Sequence, residues 1–547
     1  MSKTLLEYKG FGLQIKKEES ATGSEPLISE VSFAVYSGKV TALIGLSGSG
    51  KTMCANAALK LWPNGFNPIT QGEILFSDNG AESLDLCKCS EKEMQLIRGR
   101  KIGFVFQESG TTLNPTKTIH AHIVNTLVLG GKTPLSEALI KSKSLLNDVG
   151  LVPPEHYMNA FPHQLSGGQK QRVLIALAIC LNPSLVIADE PTSSLDALTQ
   201  LEIMRLFKDI ATKQKLGILF ITHNINIVQQ FAETVVVIDN GTIVESGLTS
   251  IVLPAPKSRA GKQLIENRIP QPSVIQSERI ESHRISLLEA ENITVQFSQN
   301  HSTFDTHSRR IDALKQVNLC IKKGVSTGIV GESGSGKSTL IRCLAGLIEP
   351  QQGLIRFEQK ELSEFNADNW QSFRRKVQIV FQDSSLSLNP LLRVEQSLLE
   401  AIRFHHPQLS KADISKKLLY LLDRVHLSYD SVKRKPHQLS GGQRQRCCIV
   451  RALSSDPMLL LFDEAVSSLD TSTQFQILNL IAELKKENEL AIAFVSHDIE
   501  VVRYICDEIA VMKNGQIVET GNTAAIFKHA QSDYTRLLIS SALNAIA

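Results

Sequence analysis

Two unbroken apolar runs, Leu185-Val186-Ile187-Ala188 and Leu459-Leu460-Leu461-Phe462, have the pattern of strands buried on both faces. Around each, strand-like and helix-like stretches alternate, which is the order of a parallel α/β core. In the first half a strand over residues 5–15 leads to another over 40–45, then a glycine-rich loop and a helix. The second half repeats this order with strands over 287–297 and 328–331, a loop and a helix. The pattern predicts two α/β domains of one kind, over residues 4–250 and 287–547.

The repeat is literal in one place. Pro162-His163-Gln164-Leu165-Ser166-Gly167-Gly168-Gln169 returns as Pro436-His437-Gln438-Leu439-Ser440-Gly441-Gly442-Gln443, an offset of 436 − 162 = 274. A Ser ahead of two glycines and a helix-like segment (169–181 in the first copy) reads as an N-cap with an open backbone approach. Such a helix start offers N–H groups and positive dipole to an anion. Nearer the start of each half the offset is larger: the lysines of the two glycine-rich loops differ by 337 − 51 = 286. The first half therefore holds 286 − 274 = 12 extra residues, expected as surface insertions in the stretches 62–72 and 77–90. Residues 251–286, with Pro254, Pro256, Pro270 and Pro272, read as a linker or a loosely packed extension of the first domain.

Composition changes this picture little. The chain has 547 residues, 42% hydrophobic and 21% charged, with a formal net charge of 58 − 55 = +3. That is a globular composition with no field strong enough to imply nucleic acid. Nine Cys are scattered without zinc-ligand spacing, so free thiols in a reducing compartment are expected. The start of the chain (MSKTLLEYKG) lacks a signal-peptide apolar core, and no apolar run reaches the roughly 18 residues a membrane span needs.

The loops carry chemistry. Gly45-Leu46-Ser47-Gly48-Ser49-Gly50-Lys51-Thr52 and Gly331-Glu332-Ser333-Gly334-Ser335-Gly336-Lys337-Ser338 both satisfy G-x-x-x-x-G-K-[ST]. Each follows an apolar strand and opens a helix, so its backbone N–H groups can wrap phosphates. Lys51 or Lys337 would meet the β- and γ-phosphates, and Thr52 or Ser338 would ligate Mg²⁺. Asp189-Glu190 and Asp463-Glu464 end the two apolar runs; the Asp is placed to hold Mg²⁺ and the Glu to act as general base for a water. His223 and His497, at strand ends with the shared offset 497 − 223 = 274, are placed to contact the γ-phosphate and orient that water. Gln107 and Gln382, between loop and carboxylate, can ligate Mg²⁺ or the water.

Together the two glycine-rich loops (Walker A), Gln107 and Gln382 (Gln loops), the LSGGQ signatures, the acidic strand ends (Walker B), Ser194-Leu195-Asp196 and Ser468-Leu469-Asp470 (D-loops) and the two histidines resemble ATP-binding cassette (ABC) ATPases, twice over. Thr112-Leu113-Asn114-Pro115, Ser387-Leu388-Asn389-Pro390, Phe161 ahead of the first signature, and Tyr534-Thr535-Arg536-Leu537-Leu538 are similar to the peptide/nickel-type importer ATPases, in their fused double-cassette form. The resemblance implies, in each half, a RecA-like core, an antiparallel β subdomain and a helical signature subdomain. It also implies ATP and Mg²⁺, and head-to-tail pairing of the cassettes. One site would join Lys51, Thr52, Gln107, Asp189, Glu190 and His223 to Ser440, Gly442 and Gln443. The other would join Lys337, Ser338, Thr339, Gln382, Asp463, Glu464 and His497 to Ser166, Gly168 and Gln169. In the family an aromatic from the second strand often stacks on adenine; Phe297 fits that position and Ile15 takes it in the first half. Half two has Ala465 where half one has Pro191, which would loosen the turn there. Residues 250–286 contain no Cys, so no iron–sulfur cluster is expected.

The resemblance thus implies an ATPase subunit of a bacterial importer for di- or oligopeptides, with nickel or a metal chelate as the alternative cargo. Its partners would be two membrane permease subunits and a substrate-binding protein, and its place the cytoplasmic face of the inner membrane, as a peripheral subunit. A soluble twin-cassette ATPase acting on ribosomes is the rival class. The Pro-broken segment after residue 250 and the LNP elements disfavour it, because such proteins carry a long helical arm between cassettes.

Overall fold

In the computed structural model the described residues are 3–16, 24–46, 48–63, 65–66, 68–78, 83–106, 112–193, 195–266, 285–299, 309–467, 469, 471–488 and 490–543. Ser47, Gln107, Ser194, Ser468, Asp470 and residues 267–284 of the expected linker lie outside them. The chain divides into two compact units between residues 268 and 269.

The first unit holds two sheets. An antiparallel sheet runs in the order β2 (Ser24–Tyr36), β1 (Thr4–Lys16), β4 (Pro68–Phe76), β5 (Leu84–Asp85). The six-stranded sheet runs β10 (Thr242–Leu248), β9 (Thr234–Asp239), β3 (Val40–Ile44), β8 (Gly217–Ile221), β7 (Leu185–Asp189), β6 (Ile102–Val105). All its pairs are parallel except β9 with β10. β3, β7 and β8 are buried along their whole length, as their unbroken apolar runs require.

The second unit repeats both sheets. Its antiparallel sheet is β12 (Arg309–Lys322), β11 (Ser286–Gln299), β14 (Gln352–Phe357), β15 (Lys360–Glu361). Its larger sheet is β16 (Val377–Val380), β17 (Leu459–Asp463), β18 (Ala491–Ser496), β13 (Ser326–Val330), β19 (Glu508–Lys513), β20 (Gln516–Asn522). Phe462 on β17 and Phe494 on β18 stand opposite each other, fully buried, with ring centroids 5.6 Å apart. The α/β fold with parallel cores and antiparallel β subdomains is the expected one.

The stretches expected as surface insertions are partly structural. Pro68–Phe76 is a strand paired along β1, and Leu86 and Cys89 lie in the core beneath that sheet. The Pro at its first position and the exposed run Thr70, Gln71 and Gly72 disguise it, because only Ile74 and Phe76 of this edge are buried. After residue 250 the chain is folded at first: the helices Thr249–Val252 and Arg259–Glu266 bury Val252, Leu253, Ala260 and Leu264 against the unit's main core.

Candidate functional site

Each unit sets a glycine-rich loop between a central strand and a helix. β3 ends at Ile44 and the helix Lys51–Leu59 begins seven residues on (51 − 44); β13 ends at Val330 and Lys337–Leu344 follows at the same spacing (337 − 330). Gly50 and Gly336 are the N-caps, both with φ of 102° and neither with a side-chain cap. Gly48 and Gly334 have φ of 78° and 82°. A Cβ on either would meet nothing within 4 Å, so the left-handed backbone and not crowding calls for glycine. The loop thus presents an uncapped helix start, the arrangement that binds anions. Ser49 and Ser335 are buried beneath it, while Ser333 is exposed and Thr339 half-buried.

Both lysines are buried under their loops. Lys51 Nζ donates to the carbonyls of Gly45 at 3.0 Å and Leu46 at 2.8 Å. Lys337 Nζ donates to those of Gly331 at 2.8 Å and Glu332 at 2.7 Å. Beside them, Thr52 Oγ1 donates to Asp189 Oδ1 at 3.3 Å and Ser338 Oγ to Asp463 Oδ1 at 2.8 Å. Burial pushes the Asp189 carboxyl up to about 6 against the hydrogen bond from Thr52, and burial likewise raises Asp463. A hydroxyl beside a desolvated carboxylate is an oxygen-only donor set with surplus negative charge, which fits a small hard cation such as Mg²⁺.

Glu190 and Glu464 follow at once, in left-handed backbone with φ of 44° and 48°. The turn is held identically in both units. The Glu190 N–H donates to Ile221 O at 2.9 Å and its carbonyl accepts from Ser193 Oγ at 3.1 Å. The Glu464 N–H donates to Val495 O at 3.2 Å and its carbonyl accepts from Ser467 Oγ at 2.9 Å. The exchange of Pro191 for Ala465, expected to loosen the second turn, leaves it unchanged, since these bonds fix the backbone without help from proline. His223 Nδ1 lies 3.3 Å from Glu190 Oε1 and His497 Nδ1 lies 3.6 Å from Glu464 Oε2. In the second unit Gln382 Nε2 donates to Glu464 Oε2 at 3.1 Å, and Lys337 Nζ is 3.9 Å from Glu464 Oε1. Burial alone would raise the Glu464 carboxyl; His497 and Lys337 outweigh it and bring it below its ordinary value. His497 is raised in turn, its own burial overcome by the Glu464 bond and charge.

The signature strings open the helices Gly167–Ile179 and Gly441–Leu453. Ser166 and Ser440 are exposed N-caps. Each closes a capping box: Ser166 Oγ accepts from the Gln169 N–H at 3.3 Å while Gln169 Oε1 accepts from the Ser166 N–H at 3.0 Å. Ser440 and Gln443 do the same at 3.3 and 3.1 Å. The second glycines have a task the sequence did not reveal. A Cβ on Gly168 would come 2.4 Å from Thr199 Cγ2, and one on Gly442 would come 2.3 Å from Thr473 Cγ2. They let the signature helix pack against the helix that follows the D-loop.

The strand registers show which residues of the two units correspond at the position expected to meet adenine. Leu6 faces Phe76 as Leu288 faces Phe357, and Gly12 faces Gln71 as Thr294 faces Gln352. The offset is 288 − 6 = 294 − 12 = 282, so Ile15 does stand where Phe297 stands. Both lie on the first strand of their unit, β1 and β11, and not on the second as expected; Phe297 is half exposed there.

The family model described as ABC transporter matches residues 28–193 and 314–467. The glutathione import ATP-binding protein GsiA of Salmonella choleraesuis (strain SC-B67) is 34% identical over 570 residues, covering 99% of this chain and 90% of the relative. The peptidoglycan transport ATP-binding protein YejF of Agrobacterium fabrum is 36% identical over 519 residues, 94% of this chain and 93% of the relative. Among solved structures, the ADP- and Pi-bound dimer of the ATP-binding cassette MJ0796 is 30% identical over 43% of this chain and 99% of its own, with a TM-score of 0.39. Among the described residues no helix is long and apolar enough to cross a membrane. The chain belongs to the ABC transporter family, as a double-cassette ATPase of the kind that serves importers.

Proposed function

We propose that this protein powers the import of peptides, hydrolysing ATP at two sites while separate permease subunits form the path. Support comes from the names of two relatives that match it over nearly its full length, one serving glutathione and the other peptidoglycan. Glutathione is itself a tripeptide. In our proposal the protein sits peripherally on the cytoplasmic side of the membrane and couples to a substrate-binding protein.

We assign the chemistry as follows. The loops around Lys51 and Lys337 bind the triphosphate through backbone N–H groups, and the lysines turn from the loop carbonyls to its oxygens. Thr52 with Asp189, and Ser338 with Asp463, would hold Mg²⁺, with Gln107 and Gln382 as further ligands; the ion would offset charge on the transferred phosphoryl group. Glu190 and Glu464 take a proton from the attacking water on a carboxylate oxygen, and His223 and His497 hold that carboxylate in place. The observation that favours these roles is the convergence of Gln382, His497 and Lys337 on the two oxygens of Glu464. In our reading the cassettes pair head to tail. Ser440, Gly442 and Gln443 then complete the Lys51 site, and Ser166, Gly168 and Gln169 the Lys337 site.

Reconstitution with the permease and binding protein in liposomes tests the cargo. Peptide-loaded binding protein should stimulate ATP hydrolysis. Stimulation by a nickel chelate and by no peptide would overturn peptide import, and co-sedimentation with ribosomes instead of membranes would overturn transport itself.

A further inference from the structure

We infer that Tyr534 is a positioning residue for the phosphate loop of the second unit, a part with no counterpart among the described residues of the first unit. Tyr534 lies on the helix Asp533–Leu543, about two hundred residues along the chain from that loop, and is buried to 6% exposure. The Glu332 N–H donates to its hydroxyl oxygen at 3.0 Å. The carbonyl of that same peptide plane belongs to Gly331, and it accepts from Lys337 Nζ at 2.8 Å. One peptide group is thus gripped from both sides, by the tyrosine through its N–H and by the lysine through its oxygen. A peptide plane has a single rotation to settle, so fixing its N–H fixes where its oxygen points. Tyr534 thereby sets the platform from which Lys337 reaches a phosphate.

The tyrosine is itself braced. Lys513 Nζ lies 4.6 Å from its ring centroid, and Glu519 accepts from the N–H groups of Gln531 and Ser532 at 2.8 and 3.1 Å to hold the start of the helix. The first unit pins its helix in the same way: Glu245 accepts from the N–H groups of Lys257 and Ser258, both at 3.1 Å. The matching offsets, 519 − 245 = 531 − 257 = 274, place Ala260 at the position of Tyr534 and Asp239 at that of Lys513. The tyrosine and the lysine over its ring are replaced together, by Ala260 and Asp239. In their place is a cavity of about 320 Å³ lined by Leu46, Ser49, Asp239, Asn240, Arg259 and Gln263. Leu46, the counterpart of Glu332, packs instead against the apolar core. The tyrosine hydroxyl that meets the second loop is thus absent from the matching position of the first.

Tyr534→Phe removes that hydroxyl and nothing else. The test rests on ATP binding at the two lysine loops and uses the full-length chain with the fluorescent nucleotide TNP-ATP in two backgrounds. Lys51→Ala leaves the Lys337 site to report, and Lys337→Ala leaves the Lys51 site. Tyr534→Phe should weaken binding about three- to tenfold in the Lys51→Ala background, the worth of one hydrogen bond. In the Lys337→Ala background it should leave affinity unchanged, with the melting temperature held in both. Equal affinity with and without the hydroxyl at the Lys337 site would overturn the inference. So would equal loss at both sites, which would mark a general weakening of the fold. If the Lys51→Ala parent bound no nucleotide at all, the ATP reading of the second loop would fall instead.

Discussion

Gln382 Nε2 and His497 Nδ1 meet on one oxygen of Glu464, at 3.1 and 3.6 Å. The other oxygen faces Lys337 at 3.9 Å. A carboxylate held this way has little freedom to turn, and its depressed pKa keeps it ionised, the form our proposal requires of it. Glu464→Gln keeps the shape and removes the basicity. Turnover at that site should fall about a hundredfold or more, as loss of a general base does, with nucleotide affinity nearly unchanged. Phosphate release and nucleotide titration on Glu464→Gln and Glu190→Gln check this. Full turnover in the double variant would remove both residues from the chemistry.

Gly168 and Thr199 form a second pair worth testing. Gly168→Ala puts a Cβ 2.4 Å from Thr199 Cγ2, and overpacking of this order costs about 1–3 kcal/mol. Thr199→Ser removes that methyl and keeps the hydroxyl that donates to Asp196 Oδ2 at 3.0 Å. The double variant should therefore recover most of the stability, read as the midpoint of the first denaturant transition. No recovery would locate the damage in the glycine backbone instead.

The helix Arg259–Glu266 should respond to acid. The Glu245 carboxylate is somewhat buried, which would raise its pKa, but the N–H groups of Lys257 and Ser258 and the Ser258 hydroxyl outweigh burial and lower it. A folded pKa below the unfolded value, about 4.3 for Glu, means the stabilisation is complete above that value. It is lost as pH falls through the folded pKa. Amide protection in this helix, taken relative to the intrinsic exchange rate at each pH, should fall as pH drops below the unfolded Glu value, and Glu245→Gln should flatten that dependence.

The thiols should separate sharply. Cys54, Cys343 and Cys447 are buried and desolvation pushes each up to about 12; Cys448 is raised to about 11. They stay protonated through pH 9, and a thiol is a poor nucleophile. Cys320 is exposed on β12. A short maleimide pulse read by mass spectrometry should label Cys320 first and leave those four untouched until the fold opens.

The site pieces that could be read from the chain are those whose backbone demands are local. A glycine with left-handed φ ahead of Lys51 or Lys337, a Ser cap on a signature helix, and an acid closing an apolar strand each fit within a few residues. The repeat then did what no single motif could, matching Ile15 to the position of Phe297, a correspondence the strand ladders reproduce. What escaped depends on distance along the chain. The pairing of Tyr534 with Glu332 spans 202 residues and that of Gly168 with Thr199 spans 31 (199 − 168), and neither leaves a trace in local pattern. Strand β4 escaped for another reason: its polar, glycine-broken edge carries the composition of a loop because solvent meets most of it.

The left-handed backbone at Glu190 and Glu464 bears on how these positions can be mutated at all. A φ near +45° costs an L-residue roughly 1–2 kcal/mol, and a β-branched side chain there is a genuine misfit. Replacing either glutamate by Val, Ile or Thr would strain the turn that also aims Ser193 or Ser467, so an inactive product would carry no information about proton transfer. Gln matches Glu in shape, and Asn or Asp tolerates the left-handed region. Of the possible substitutions at these two positions, only that small set separates the chemistry of the carboxylate from the geometry that presents it.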